Sequence, residues 1–168
     1  MIGTVVFDLD GTLVNIPINY NMLSERIREV TKAKKIESLT KTLQTLNKKE
    51  RQIAFEIWTN EELQALPKMT INDKGMKLYE TYSNKPLVLI TMQGRETVDR
   101  IVKKLKLNFQ FVITREDSLD RAEQIKIAIG KLKTTPRKVL IIGNRESDYT
   151  AAQKVGCNFL RIRNENMV

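Results

Sequence analysis

Histidine is absent from all 168 residues and cysteine occurs once. Without histidine there can be no Ser-His-Asp hydrolysis, no zinc site of the histidine type and no phosphohistidine chemistry. The single cysteine, Cys157, excludes an intrachain disulfide and any cysteine-cluster metal site. Followed by Asn158-Phe159-Leu160, it reads as a small buried side chain at the start of a strand. Acid–base work must therefore fall to carboxylates. No apolar run approaches the length of a membrane span. The first strand is expected from Ile2, which leaves no room for a signal peptide, so the expected setting is cytoplasmic, away from any membrane.

The composition, 41% hydrophobic and 29% charged, is that of an ordinary soluble globular protein. The length suits one core domain carrying an insertion better than two full domains. A net charge of +9 could advertise nucleic acid, but the excess is spread evenly. Residues 15–86 carry 13 basic and 9 acidic side chains, and the remainder carries 16 and 11. The densest runs, Lys32, Lys34 and Lys35, then Lys48, Lys49 and Arg51, have acids nearby and read as solvated faces.

What the chain does carry stands at its start. Val5-Val6-Phe7 is an apolar, β-branched run that predicts a buried parallel strand, and it leads into Asp8-Leu9-Asp10-Gly11. Side chains alternate along a strand, so acids at i and i+2 point to one spot. Two carboxylates held so close need a cation or a shared proton. A hard divalent ion is the economical solution, since Mg²⁺ takes one or two carboxylates plus substrate phosphate. Gly11 allows the sharp reversal that exposes both acids, and carboxyl ends of parallel strands are where open α/β sheets bind ligands.

After Leu13 the periodicity becomes helical for about seventy residues. Tyr20, Leu23, Ile27 and Val30 mark one helix, and Ile36, Leu39, Leu43 and Leu46 a second. Ile53, Ala54, Ile57 and Trp58 mark a third, which runs to Leu66 before Pro67. Ile71, Gly75, Leu78 and Tyr82 mark a fourth. From Leu87-Val88-Leu89-Ile90-Thr91 onward, strand and helix alternate. Further strands are expected at 109–114, 138–142 and 159–162. Helices carry Val98, Ile101, Val102 and Leu105, then Ile125, Ala128, Ile129 and Leu132, and a last one spans 149–155 before Gly156. The prediction is an α/β, Rossmann-like parallel sheet, residues 1–15 and 86–168, interrupted by a helical unit, 16–85, with hinges at Ile16-Pro17 and Lys85-Pro86. Within that unit Tyr20, Phe55, Trp58 and Tyr79 are expected to pack as core.

The stretch Phe7-Asp8-Leu9-Asp10-Gly11-Thr12-Leu13-Val14 resembles the first motif of the haloacid dehalogenase superfamily, most of whose members are Mg²⁺-dependent phosphohydrolases. The resemblance implies that Asp8 attacks phosphorus to form an aspartyl phosphate. It implies that Asp10 is general acid and base, its backbone carbonyl also reaching the metal. The inserted helices are similar to the helical caps that follow the first motif in such phosphatases, phosphoglycolate-type ones among them. Thr91 matches the second motif, and with Met92 before a helix opening near Arg95 it is placed to bind phosphate. For the cation of the third motif, Arg121 and Lys126 compete. Arg121 lies on the apolar face and follows Asp120, which reads as an N-cap with Glu123 three residues on, so Arg121 is preferred.

The fourth motif, Gly143-Asn144-Arg145-Glu146-Ser147-Asp148, departs from the family pattern, because an acid usually stands where Asn144 is. The implied metal set is Asp8, Asp10, Asn144 and Asp148, with one charge missing, and Glu146 is expected to face solvent. The implied activity is phosphatase action on a small soluble phosphomonoester. Dehalogenase chemistry is disfavoured by Asp10, and a phosphomutase shares the same core. A weakly active or inactive protein on this scaffold, binding nucleic acid or a protein partner, is the alternative that Asn144 sustains.

Overall fold

Thr4–Phe7 forms the central strand, β1, because a short β-branched run buried on both faces is stable only between two layers of helix. The computed structural model describes residues 1–31, 36 and 38–162. After β1 come β2 (Val14–Asn15), α1 (Tyr20–Thr31), α2 (Leu39–Thr45) and α3 (Lys48–Ala65). Next are β3 (Thr70–Ile71), α4 (Asp73–Thr81), β4 (Leu87–Ile90), α5 (Arg95–Leu105) and β5 (Phe111–Ile113). The chain continues through α6 (Arg121–Leu132), β6 (Val139–Gly143), α7 (Glu146–Val155) and β7 (Asn158–Arg161). Among the described residues no helix is long and apolar enough to cross a membrane.

The main sheet runs β5-β4-β1-β6-β7, with every pairing parallel. Alternation along β1 divides the core. Val5 and Phe7 join one cluster with Leu87, Leu89, Val98 and Ile101, while Val6 faces Val88, Ile125, Ala128 and Ile141 on the other side. Phe7 is fully buried, and truncating such a side chain to Ala costs about 3–5 kcal/mol. From β1 the chain proceeds to β4 and β5 on one side and returns to β6 and β7 on the other. The crevice between the carboxyl ends of β1 and β6 is thus the switch point where such sheets bind ligands.

The expected seventy-residue helical block differs in two places. Val14 pairs with Ile71 and Asn15 with Thr70, an antiparallel neck of two residues per strand, too short to show a period. Helix α4 also packs on the sheet. Its Met76, Leu78 and Tyr79 lie on the cluster that holds Phe7, and Gly75 sits so close to the Thr12 carbonyl that a Cβ would lie 1.7 Å from it. Tyr79 is therefore a neighbour of Phe7 and Phe109, with centroids 6.1 and 5.6 Å away. Helices α1–α3 build a third cluster, Leu23, Ile27, Leu43, Ala54 and Trp58, which rests on Leu119 from the loop before α6.

Local signals explain the helix ends. Asn47 and Glu50 form a reciprocal capping box on α3, and Pro67 follows its end within a 3-10 turn at Leu66–Lys68. Gly156 closes α7 at φ +87°, and the buried Cys157 precedes β7. Helix α7 starts three residues earlier than expected, and β5 is shorter than 109–114. The run Lys32, Lys34, Lys35 lies outside the described residues. In the second basic run Arg51 is structural, donating to the Leu43, Gln44 and Leu46 carbonyls at the end of α2 at 3.0, 3.1 and 2.9 Å.

Candidate active site

Asp8 and Asp10 follow β1 directly, and the tight turn after them is drawn together by the Leu9 carbonyl, which accepts from the Thr12, Leu13 and Val14 amides. Gly11 has φ +82°, and a Cβ there would lie 2.1 Å from the Asn144 amide nitrogen. Glycine is thus needed twice, for the backbone and for the approach of Asn144. Asn72, which caps α4, takes its amide bond to the Leu13 carbonyl at 2.9 Å, so the turn is braced from below.

Asp8 is 2% exposed. Its Oδ1 accepts from Arg121 Nη2 at 2.9 Å, and its Oδ2 faces the Thr12 hydroxyl at 3.3 Å. Arg121 Nη1 donates to the Gln124 side-chain Oε1 at 3.0 Å, and the Gln124 side-chain Nε2 in turn donates to the Thr91, Thr114 and Ser118 carbonyls. Arg121 Nε also lies 3.0 Å from Asp148 Oδ1, an ionic contact without hydrogen-bond geometry. Asp148 Oδ2 accepts from the Arg145 amide at 3.1 Å, and Gly143 leaves room for it, since a Cβ would meet that oxygen at 2.6 Å. Of the two cation candidates, the structure brings Arg121 to Asp8. Lys126 stays on the surface beside Glu123 at 3.5 Å. The expected N-cap is present, with Asp120 accepting from the Glu123 amide.

Asp10 is fixed at both oxygens. Oδ1 accepts from the Ile16 amide at 2.8 Å and Oδ2 from Arg145 Nη2 at 3.1 Å. The expected hinge at Ile16 is thus anchored, and Ile16 is itself buried. Arg145 is a functional candidate that the sequence reading passed over, although it sits inside the fourth motif. Glu146 beside it is exposed and pairs with Arg161 at 2.6 Å.

Burial, reinforced by Asp148 and Asp10 and opposed by Arg121 and Arg145, pushes the Asp8 carboxyl up to about 7. Burial also raises Asp10, against the Ile16 amide and Arg145. For Arg145 partial burial works toward a lower value, but Asp8, Tyr20 and Asp10 outweigh it and the guanidinium is held firmly charged. The site concentrates three carboxylates around two guanidinium groups, and Asp8 is short of positive charge.

Around Thr91 the arrangement differs from a simple open helix start. Thr91 is fully buried and its hydroxyl donates to the Gln93 side chain and accepts from the Gln93 amide at 3.2 Å. The Gly94 and Arg95 amides, the donors expected for an anion, are taken by Glu62 and Glu116 at 3.1 Å each. Met92 lines the adjoining cavity, and its carbonyl accepts from Arg115 at 3.1 Å. Glu62 on α3 and Arg115 after β5 form a fully buried pair that was not legible beforehand.

The donor set can be tested against a cation. Asp8 Oδ2 and Asn144 Oδ1 both approach the Thr12 hydroxyl, at 3.3 and 3.5 Å, so two oxygens from separate motifs converge. Asp148 Oδ1 is buried without a hydrogen bond. An all-oxygen set of this kind fits a hard ion such as Mg²⁺. Among the described residues no three acidic, cysteine or histidine side chains are grouped closely enough to hold a metal alone. Amide, backbone or water oxygens must therefore complete the shell.

The model of the haloacid dehalogenase-like hydrolase family matches residues 5–162. Among solved structures, a haloacid dehalogenase-like hydrolase from Streptococcus pneumoniae is 21% identical with TM-score 0.69, the match covering 96% of this chain and 85% of that one. A protein described as a phosphoglycolate phosphatase from Lactobacillus plantarum is 18% identical with TM-score 0.66, covering 95% and 86%. One described as a β-phosphoglucomutase from Thermotoga maritima is 16% identical with TM-score 0.64, covering 99% and 89%. No match is found among the curated proteins. At these identities the structural likeness concerns the fold.

Proposed function

The chain belongs to the haloacid dehalogenase-like hydrolase family, and from that premise we propose that it is a phosphatase that cleaves a small phosphomonoester through an aspartyl phosphate on Asp8. The observation that carries this reading is the pairing of Asp8 with Arg121 at 2.9 Å beside a second acid, Asp10, held in place at both oxygens. Displacement at carbon would need no acid for the leaving group. A phosphate ester does, and Asp10 supports the reading as the second acid beside Asp8.

In this mechanism an oxygen of Asp8 attacks phosphorus while the bond to the leaving oxygen breaks in line. Asp10, its affinity for a proton raised by burial, passes that proton to the leaving oxygen. As a carboxylate it then takes a proton from the water that cleaves the acyl phosphate. Arg121 offsets charge on the nucleophile and on the phosphoryl oxygens. Asp8, Asn144 and Asp148, with the Asp10 carbonyl, would hold Mg²⁺. When bound, the ion neutralises part of the charge shared by Asp8 and the phosphate. Helices α1–α3 stand over the carboxyl end of the sheet, where Tyr20 and Trp58 line the cavity with Met92, and would limit the water around the reacting group.

Hydrolysis of p-nitrophenyl phosphate with Mg²⁺, with chelator and in Asp8→Asn tests the reading. Metal-dependent turnover that disappears in Asp8→Asn supports it. No turnover under any metal, or full turnover in Asp8→Asn, contradicts it.

A further inference from the structure

Gln124 is fully buried one helical turn after Arg121, on the same side of α6. Its side-chain Oε1 accepts from Arg121 Nη1 at 3.0 Å, and its Nε2 donates to the Thr91, Thr114 and Ser118 carbonyls at 2.9, 3.1 and 3.0 Å. The two N–H groups of one amide thus serve three acceptors, in the residues that follow β4 and β5 and in the loop before α6. Only one orientation of that amide is possible. Exchanging its oxygen and nitrogen would set donor against donor at Arg121 and oxygen against three carbonyl oxygens.

Each end of the amide governs a different group. Arg121 Nη2 donates to Asp8 at 2.9 Å and Nε lies 3.0 Å from Asp148 Oδ1, so Gln124 holds the remaining side of the guanidinium. As a neutral acceptor it fixes that group without competing for the charge that Asp8 and a phosphoryl group need. At the other end, the bond to the Thr91 carbonyl fixes the Thr91–Met92 peptide unit. That peptide bond is trans, so the Met92 N–H points opposite to the carbonyl, away from Gln124.

A second observation concerns the amides after Thr91. Those of Gln93, Gly94 and Arg95 are taken by the Thr91 hydroxyl, Glu62 and Glu116, at 3.2, 3.1 and 3.1 Å. The Met92 amide has no acceptor among the described residues. It is the donor of this segment left for a ligand, and it is tied to Arg121 through a single side chain.

Resting on the phosphatase reading, we propose that Gln124 is the positioning residue of the phosphoryl site. Its oxygen sets the Arg121 guanidinium against Asp8, and its nitrogen sets the Met92 amide as a further phosphoryl donor, so one side chain fixes the spacing of the two. Gln124 touches neither the substrate nor the reacting atoms and acts through groups that do.

The test measures kcat and KM for p-nitrophenyl phosphate and Ki for inorganic phosphate in Gln124→Met and Gln124→Glu. The first removes every bond at similar length. The second keeps the shape and an acceptor for Arg121 but loses the donors to Thr91, so it decides the matter if the first fails to fold. Both should raise KM and Ki by about tenfold and lower kcat by about as much, the effect of a misplacement of roughly an ångström. In an Arg121→Met background the further loss of kcat/KM from Gln124→Met should be smaller than in the wild type. A residue with a structural role alone would lower the active fraction, and hence kcat, without moving KM or Ki. KM and Ki unchanged in the variants, or a loss as large in the Arg121→Met background as in the wild type, overturns the proposal. If the wild type does not turn over, the phosphatase reading fails by itself. Calorimetric affinity for inorganic phosphate with Mg²⁺ then decides the role of Gln124, since no binding, or equal affinity in wild type and variants, overturns it.

Discussion

Glu62 and Arg115 face each other at 2.6 Å with both side chains at zero exposure, joining the third helix to the loop after β5. The second oxygen of Glu62 accepts from the Gly94 amide and the Thr97 hydroxyl at 3.1 and 2.8 Å. Arg115 stacks over the Trp58 ring with its central carbon 4.5 Å from the centroid. Burial alone raises Glu62, and Arg115 is the chief opposing influence, so each depends on the other. Removing one partner leaves a buried charge uncompensated. Glu62→Gln or Arg115→Met should therefore cost about 3–5 kcal/mol in urea unfolding, whereas Glu62→Leu with Arg115→Met should cost clearly less. A double-variant loss equal to the sum of the two single losses would show that the pair is not coupled.

The amide of Asn144 stands where a further charge would strengthen cation binding. Asn144→Asp adds a carboxylate beside Asp8 without changing side-chain size. The Mg²⁺ concentration for half-maximal activity and the calorimetric Mg²⁺ affinity should both improve by about tenfold. Unchanged affinity would place the ion elsewhere.

Gly75 and Gly130 should respond in opposite directions to alanine. A Cβ on Gly75 would collide with the Thr12 carbonyl in the turn after Asp8 and Asp10, while one on Gly130 meets nothing within 4 Å. Gly75→Ala should lose about 1–3 kcal/mol and also slow turnover by displacing the turn. Gly130→Ala, in the last turn of α6, should gain about 0.5–1 kcal/mol with activity intact. Thermal and urea unfolding check both.

Cys157 supplies a pH test away from the site. Burial pushes its thiol up to about 11 from 9.0. Alkylation by iodoacetamide near neutral pH should be slow in the native protein and fast in urea. The folded form holds the proton more tightly, so this contribution to stability is complete below 9 and is lost as pH rises toward 11. Cys157→Ala should remove that part of the alkaline decline.

How much of this was legible follows from the range over which each signal acts. The turn at Asp8 and Asp10 is local, a period of two ended by glycine, and so is the placement of Arg121 one residue after an N-cap. Both could be read directly. Arg145 sat in view within the fourth motif, but its contact is with Asp10, 135 residues away, which no local pattern encodes. The Glu62–Arg115 pair joins two residues that look like ordinary surface charges in a row of other charges. Tyr79 has helical spacing in either environment, and only the packing of α4 under β1 shows which one it occupies. The neck strands β2 and β3 are two residues each, below the length at which alternation can be seen.

The central claim is that Asp8 is the phosphoryl acceptor. Radiolabelled p-nitrophenyl phosphate mixed with the Mg²⁺-loaded protein and quenched in acid measures it directly. The protein should carry an acid-stable, hydroxylamine-labile label that maps to the peptide containing Asp8. The label should build up in Asp10→Asn, where hydrolysis of the acyl phosphate lacks its base, and should be absent from Asp8→Asn. Label persisting in Asp8→Asn, or none in an Asp10→Asn protein whose wild type turns over, would contradict the assignment.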